Sequence, residues 1–261
     1  MLPPGGLTSL LFVGVAAGGA GFVDAMAGGG GLIQLPALFT AYPSEAPAAL
    51  LGTNKVASIL GSTTAAARYA RSVRIDWGTV LPAIAIGLPF ALAGASLATA
   101  LRPAAFRALV PPILAAVLLY VLTHRDLGVR HAPRALSGGR RAAALAGVAA
   151  IAAYDGFFGP GTGNFLMLLY VRVYGFDFLN AAASARLVNV ATNAGALLYF
   201  GSHGDIRWPL AAAIGACNIA GSILGAHTAL RHGSRFVRAA FVLVVGALIV
   251  KTALSAYLAP N

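Results

Sequence analysis

Four ionisable residues stand where ionisable residues are costly. Asp24, Lys55, Asp155 and Arg186 each fall inside an apolar stretch of the sequence. Lys55 and Arg186 lie far enough into their helical segments to sit roughly 10–12 Å deep at 1.5 Å per residue. A cation that deep in a bilayer costs at least about 2.5–3.5 kcal/mol unless it is paired or hydrated. Two roles are open to the pair. They contact an anionic substrate, Arg186 through two parallel N–H bonds and Lys55 as a point charge, or a structural carboxylate neutralises them. Asp24 and Asp155 are the obvious carboxylates. Their open roles are counter-ion, carrier of a coupled proton and cap of the following helix end. An aspartate beside an anion site repels substrate unless protonated or paired, so neither is expected to touch substrate directly.

Each aspartate precedes a glycine break: Gly28-Gly29-Gly30-Gly31 in one case, Gly159-Pro160-Gly161-Thr162-Gly163 in the other. Each glycine costs a helix roughly 1 kcal/mol relative to alanine. In lipid a break also frees backbone N–H groups that need partners. The helix that follows aims its positive end and free N–H groups at whatever lies there, which favours an anion. On this reading Gly29, Gly30, Gly31, Gly161, Thr162, Gly163 and Asn164 belong to an anion site, with Gln34 nearby. The alternative is a close helix crossing through small residues. Polar residues surround the cations: Thr53, Asn54, Ser58, Ser62 and Thr63 near Lys55, and Ser184, Asn189, Thr192 and Asn193 near Arg186. Asn54/Ser58 and Asn189/Asn193 are i, i+4 pairs, so each shares one helix face. Their uncharged donors suit an oxyanion, and they suit interhelical hydrogen bonds equally well.

The elements that hold these residues are apolar helices. Of 261 residues, 59% are hydrophobic and 10% charged. Soluble domains carry about 25% charged residues, so lipid is the solvent for most of this chain. The N-terminal run lacks a basic flank and a clear cleavage site, and reads as a retained span. Sliding the chain so that Asp24 falls on Asp155 also aligns Gly28 with Gly159, Gly30 with Gly161, Lys55 with Arg186, Trp77 with Trp208 and Arg107 with Arg238, without a gap. Asp, Trp and Lys/Arg are scarce here, so these matches identify a duplication. Helices are expected over 7–27, 32–43, 47–67, 77–99 and 105–123, and over 142–158, 163–175, 179–200, 208–230 and 236–257.

Lys and Arg favour cytoplasmic loops. If each break reverses the chain and the N-terminus lies outside, Arg68, Arg71, Arg74, Arg125, Arg130, Arg134, Arg172 and Arg231 all fall inside. If each break is only a bend, Arg172, Arg231, Arg235 and Arg238 move outside. The hairpin reading is preferred. Five elements per half is an odd number, so the second half enters from the opposite side. The expected fold is an all-α polytopic membrane protein of two homologous, inverted repeats. Each has about four full transmembrane helices plus a glycine-broken or re-entrant segment. The repeats cover 1–123 and 142–261, joined by a basic cytoplasmic linker at 124–141.

Other function classes fit poorly. The formal charge of +11 is scattered through short loops, the pattern of topology signals rather than of a nucleic-acid surface. The single Cys217 excludes an internal disulfide or a cysteine metal cluster. An intramembrane enzyme would need a nucleophile with its base or a metal cluster, and no GxSxG or HExxH occurs. The five histidines, 124, 131, 203, 227 and 232, lie in loops or near helix ends. No GxxxxGK[ST] loop is present for ATP, and no cofactor is implied. The small-residue faces Gly87–Gly94 and Gly215–Gly225 serve internal packing or a homodimer seam.

The segments AGFVDAMAGGGGLIQLPAL (20–38) and GTNKVAS (52–58), with YDGFFGPGTGNFLMLLYV (154–171) and ARLVNVATN (185–193), resemble the two half-motifs of the TauE/SafE family, also called sulfite exporters. They are most similar to its YfcA-like permeases. The resemblance implies a multi-pass protein of the plasma or inner membrane that moves small sulfur-containing or organic anions such as sulfite, sulfoacetate or thiosulfate. With the residues above, it implies a secondary transporter working by alternating access at a midplane site between the repeats, with protons as a coupling ion. A passive anion channel is the alternative, and an intramembrane enzyme a distant one.

Overall fold

The computed structural model describes residues 6–98, 128 and 130–258. Among them all regular structure is helical: α1 (Gly6–Ala27), α2 (Gly31–Ala41), α3 (Pro47–Ala70), α4 (Trp77–Ala98), α5 (Gly138–Phe157), α6 (Thr162–Arg172), α7 (Phe178–Ser202) and α8 (Trp208–Leu258). The helix expected at 105–123 and the first part of the 124–141 linker lie outside the described residues. The alanine-rich run after Arg141 is a strong helix former, and α5 extends back to Gly138, so Arg140 and Arg141 are helical. Within α8, Gly233 leaves helical geometry at φ 73°, dividing the element where two helices were expected.

Among the described residues three stretches are long and apolar enough to cross a membrane: α1, α4 and residues Trp208–Val244 of α8, with mean hydropathies of 1.8, 2.0 and 1.5. Leu11, Val15, Leu81, Phe90, Leu97 and Leu224 stand exposed on these helices. In water such a surface would aggregate, and against lipid it is the required one. The chain is a membrane protein. Helices α3 and α7 carry the polar residues and are the most enclosed, with residues such as Thr53, Lys55, Ser62, Arg186 and Asn193 buried.

The packing is reciprocal. Helix α1 lies along the first part of α8 as α5 lies along α4, while α3 crosses that part of α8 as α7 crosses α4, and α3 meets α7 between them. Glycine lets these backbones touch. Gly21 abuts the Asn218 carbonyl and Gly221 that of Gly18 in one contact, and Gly156 abuts Ala91 and Gly94 abuts Ala153 in the other. A methyl group at any of these positions would overlap the neighbouring helix. Gly94, Gly221 and Gly225 thus lie at contacts within the chain, and the small-residue faces are internal packing surfaces.

The chain turns back at each glycine break. Gly30 sits against Ala20 and Asp24 of α1, and Gln34 bonds Asn218, the residue that α1 meets at Gly21. Helix α2 therefore runs back along α1. Likewise Phe165 of α6 packs on Tyr154 of α5 and Leu169 reaches Gly147, one element descending as the other climbs. Two apolar clusters flank the layer between the breaks. One gathers Ala25, Tyr69, Tyr170, Phe178 and Phe241, the other Val13, Leu38, Leu50, Phe200 and Ile214.

Candidate functional site

Both breaks rest on left-handed backbone. Gly28 and Gly29 have φ of 88° and 87°, and Gly159 and Gly161 have 91° and 88°. An L side chain resists this conformation by roughly 1–2 kcal/mol, which is why the sequence places glycine there. Tyr154 fixes the second break by donating to the Pro160 carbonyl at 2.6 Å. Part of the expected display of free N–H groups is taken up locally. The N–H of Leu32 donates to Gly29 O at 3.0 Å, that of Thr162 to Gly159 O at 3.1 Å, and that of Asn164 to Gly161 O at 2.9 Å.

The turned-back breaks bring the four ionisable residues together as two crossed pairs. Lys55 Nζ donates to Asp155 Oδ1 at 2.7 Å and to the Asp155 carbonyl at 2.6 Å. Arg186 Nη1 donates to Asp24 Oδ2. Each cation thus takes the aspartate that precedes the other half's break, across 100 and 162 residues of sequence. Lone charges could not remain here, and partnered charges can.

The aspartates do more than balance charge. Asp24 Oδ1 accepts from the N–H of Gly30 at 3.1 Å, just ahead of α2, so this residue is both counter-ion and cap. Asp155 Oδ1 also accepts from Thr162 Oγ1 at 3.0 Å, and its Oδ2 from Asn189 Nδ2 at 3.3 Å. Ser62 Oγ completes that chain by donating to Asn189 Oδ1 at 2.9 Å.

The two pairs differ in a way that duplication does not foretell. The Lys55 and Asp155 side chains are both 3% exposed, whereas Asp24 is 22% exposed beside a fully buried Arg186. Lys55 is held by two oxygens of a single residue. Arg186 bonds through Nη1, while its Nε and Nη2 have no hydrogen-bond partner among the described residues.

A cavity of about 30 Å³ lies among these groups. Asp24, Gly29, Gly31, Asn54, Lys55, Ser58, Asp155, Gly161, Thr162, Gly163, Asn189 and Asn193 line it, with Gly159. Three expected site residues are not on its walls. Gly30 turns its N–H to Asp24. Asn164 is fully buried where Gly28 crosses α6. Arg186 lies behind Gly163, with Nη2 against that glycine.

Sequence reasoning missed Asn218 and Ser222. Asn218 Nδ2 donates to Gln34 Oε1 at 2.9 Å, tying α8 to α2, and Ser222 Oγ reaches Asn218 Oδ1 at 3.4 Å. An asparagine within so apolar a helix was the available signal. The duplication concealed it, because its counterpart is Gly87.

Comparisons with known proteins agree with one another. Residues 10–252 match the family model described as sulfite exporter TauE/SafE. A Sinorhizobium sp. protein named "Probable membrane transporter protein ORF9" is 34% identical over 247 residues, covering 93% of this chain and 91% of the relative. "Probable membrane transporter protein YfcA" of Escherichia coli K12 is 32% identical over 232 residues, covering 89% and 85%. A "Probable membrane transporter protein" of Haemophilus influenzae is 34% identical over 230 residues, covering 86% and 87%. No solved structure matches the chain.

Proposed function

The chain belongs to the TauE/SafE family of membrane transporters, and on that premise we propose that it is a secondary transporter of small sulfur-containing or organic oxyanions such as sulfite, sulfoacetate or thiosulfate. It is a multi-pass protein of the plasma or inner membrane, built of two inverted repeats that alternate access to one site. The observation that carries this reading is the crossed pairing of Lys55 with Asp155 and Arg186 with Asp24 around a cavity that both glycine breaks line.

At about 30 Å³ the cavity has room for about two waters. Sulfite, with four heavy atoms, needs more room. Transport therefore requires the halves to part, and the movable contacts are those that join them. Arg186 has two donors to spare and a partner that is partly exposed. A proton on Asp24 loosens its hold on Arg186, and the oxyanion then takes the carboxylate's place at the guanidinium. Proton and anion move together on this scheme, and the anion replaces the lost negative charge.

Purified protein in liposomes, given a panel of sulfite, sulfoacetate and thiosulfate with chloride as control, tests the assignment. Lys55→Ala and Arg186→Ala are each expected to abolish uptake while the protein still inserts. Normal uptake by both variants removes the anion-site reading. On this scheme the protein is a gated transporter rather than a passive channel. Uptake driven uphill by a pH gradient is the corresponding result, and simple equilibration of the anion contradicts it.

A further inference from the structure

A second polar cavity, of about 490 Å³, opens at the end of the bundle where α3 stops. Its walls are Arg68, Arg71 and Ser72 from the end of α3, and His227, Leu230 and Arg231 from α8 just before the Gly233 break. Among the described residues none of its walls is acidic, and none of the three arginines joins an ion pair. Arg68 and Arg71 are spaced i, i+3, and His227 and Arg231 i, i+4. Two helices therefore each present one basic face to the same space. Like charges held this way oppose one another, so the arrangement does not serve stability.

Topology alone does not explain it either. A positive-inside signal needs basic residues near a span's end, and exposed Arg74 and Arg235 already supply them. It does not need them convergent on a cavity. The duplication offers an internal control. The positions that correspond to Arg68, Arg71, His227 and Arg231 are Tyr199, Ser202, Ser96 and Ala100. None of those positions carries a charge.

The surface leading into the cavity is apolar. Leu224, 61% exposed, lies three residues before His227 and seven before Arg231, on the same stripe of α8. Leu60, 38% exposed, stands on the α3 stripe that ends at Arg68 and Arg71. An apolar track that ends in a basic cavity matches a molecule with a hydrocarbon tail and a phosphate head. We propose that this cavity binds the headgroup of an anionic phospholipid, its phosphate held by Arg68, Arg71 and Arg231 and its acyl chain laid along Leu224 and Leu60. Guanidinium forks suit phosphate oxygens, and basic pockets between membrane helices are recognised lipid sites.

The test uses the full chain in neutral detergent, titrated with phosphatidylglycerol or phosphatidylcholine, with bound lipid read by native mass spectrometry. Phosphatidylglycerol is expected to be retained about a hundredfold over phosphatidylcholine. Each arginine near a charged headgroup is worth about fivefold. Arg68→Gln/Arg71→Gln/Arg231→Gln should therefore lower retention of the anionic lipid by about a hundredfold, to the level of the zwitterionic one. Arg74→Gln/Arg235→Gln, outside the cavity, should retain as the unaltered protein does. Should the triple variant not fold, exposed Arg71→Gln alone reads the fivefold loss. Equal retention of both lipids overturns the proposal, as does a cavity variant that retains like the unaltered protein or a control pair that loses as much. Full displacement of the lipid by millimolar inorganic phosphate overturns the lipid assignment and leaves a site for the free ion.

Discussion

Replacing Asp155 with alanine should be the most costly single change at the centre of this protein. The substitution removes the carboxylate that Lys55 touches at 2.7 Å, in a place where both side chains are 3% exposed. Stranding one member of a buried pair costs about 3–5 kcal/mol, against about 0–1 kcal/mol for an exposed pair. Lys55 also donates to the main-chain carbonyl of residue 155 at 2.6 Å. That acceptor survives the substitution, which places the expected loss near the low end, about 3 kcal/mol. For a chain of this size each kcal/mol moves the melting temperature by about 2–4 °C, so Asp155→Ala should melt about 6–12 °C lower in detergent. Removing both charges should reverse most of this, because well-packed apolar groups often replace a buried pair without loss. Lys55→Met/Asp155→Leu is therefore expected to melt close to the unaltered protein while showing no anion uptake in liposomes. Thermal melts of the two variants, followed by uptake with the double variant, form the assay. A loss below about 1 kcal/mol for the single variant, or a double variant as unstable as the single, refutes the buried-pair reasoning. A double variant that still takes up anion refutes the role given to Lys55.

Three further outcomes are expected. Asp24→Asn should cost less stability than Asp155→Ala, since Asp24 is partly exposed. Uptake by the unaltered protein should depend on an imposed proton gradient, whereas the Asn variant should show a flattened profile. An unchanged profile would leave Asp24 a counter-ion and cap only. Gly159→Ala should abolish uptake and cost more than the roughly 1–2 kcal/mol of left-handed backbone alone, because its methyl would lie 2.9 Å from Lys55 Nζ and 3.1 Å from Asp155 Oδ1. Gly204→Ala, at φ 75° with nothing within 4 Å, should show only the backbone cost and normal uptake; equal effects would detach the second break from the site. In a Cys217→Ala background, an impermeant maleimide should reach His203→Cys and Ser72→Cys from opposite faces of the membrane. Residues near 205–207 adjoin the start of α3, Ser72 follows its end, and its 24 residues span about 36 Å. Labelling of both from one face would rule out α3 as a span.

The membrane class, the helices and the positions of the breaks are local properties, and they were legible residue by residue. Lipid makes every buried charge conspicuous, so Asp24, Lys55, Asp155 and Arg186 stood out against their neighbours. Positive φ at low cost is open to glycine, so Gly28-Gly29 and Gly159-Pro160-Gly161 marked where the chain could leave the helix. The spacing of Asn54 with Ser58 and of Asn189 with Asn193 put each pair on one face, and the cavity walls include all four.

What the residues could not say by themselves is which partner each would take. Counter-ion and cap were alternatives for Asp24 until the fold brought Gly30 and Arg186 to separate oxygens of one carboxylate. The exchange of aspartates between the halves depends on contacts across 100 and 162 residues, and no local pattern encodes such distances. Arg186 and Asn164 were expected at the cavity, yet the close approach of Gly28 to Gly163 puts both behind its wall. Duplication made the halves look equivalent, while packing gave Lys55 a saturated partner and left Arg186 two free donors. A single sequence sets the cost of each charge in lipid, and the tertiary structure alone decides how that cost is met, because the compensating groups come from helices far apart in the chain.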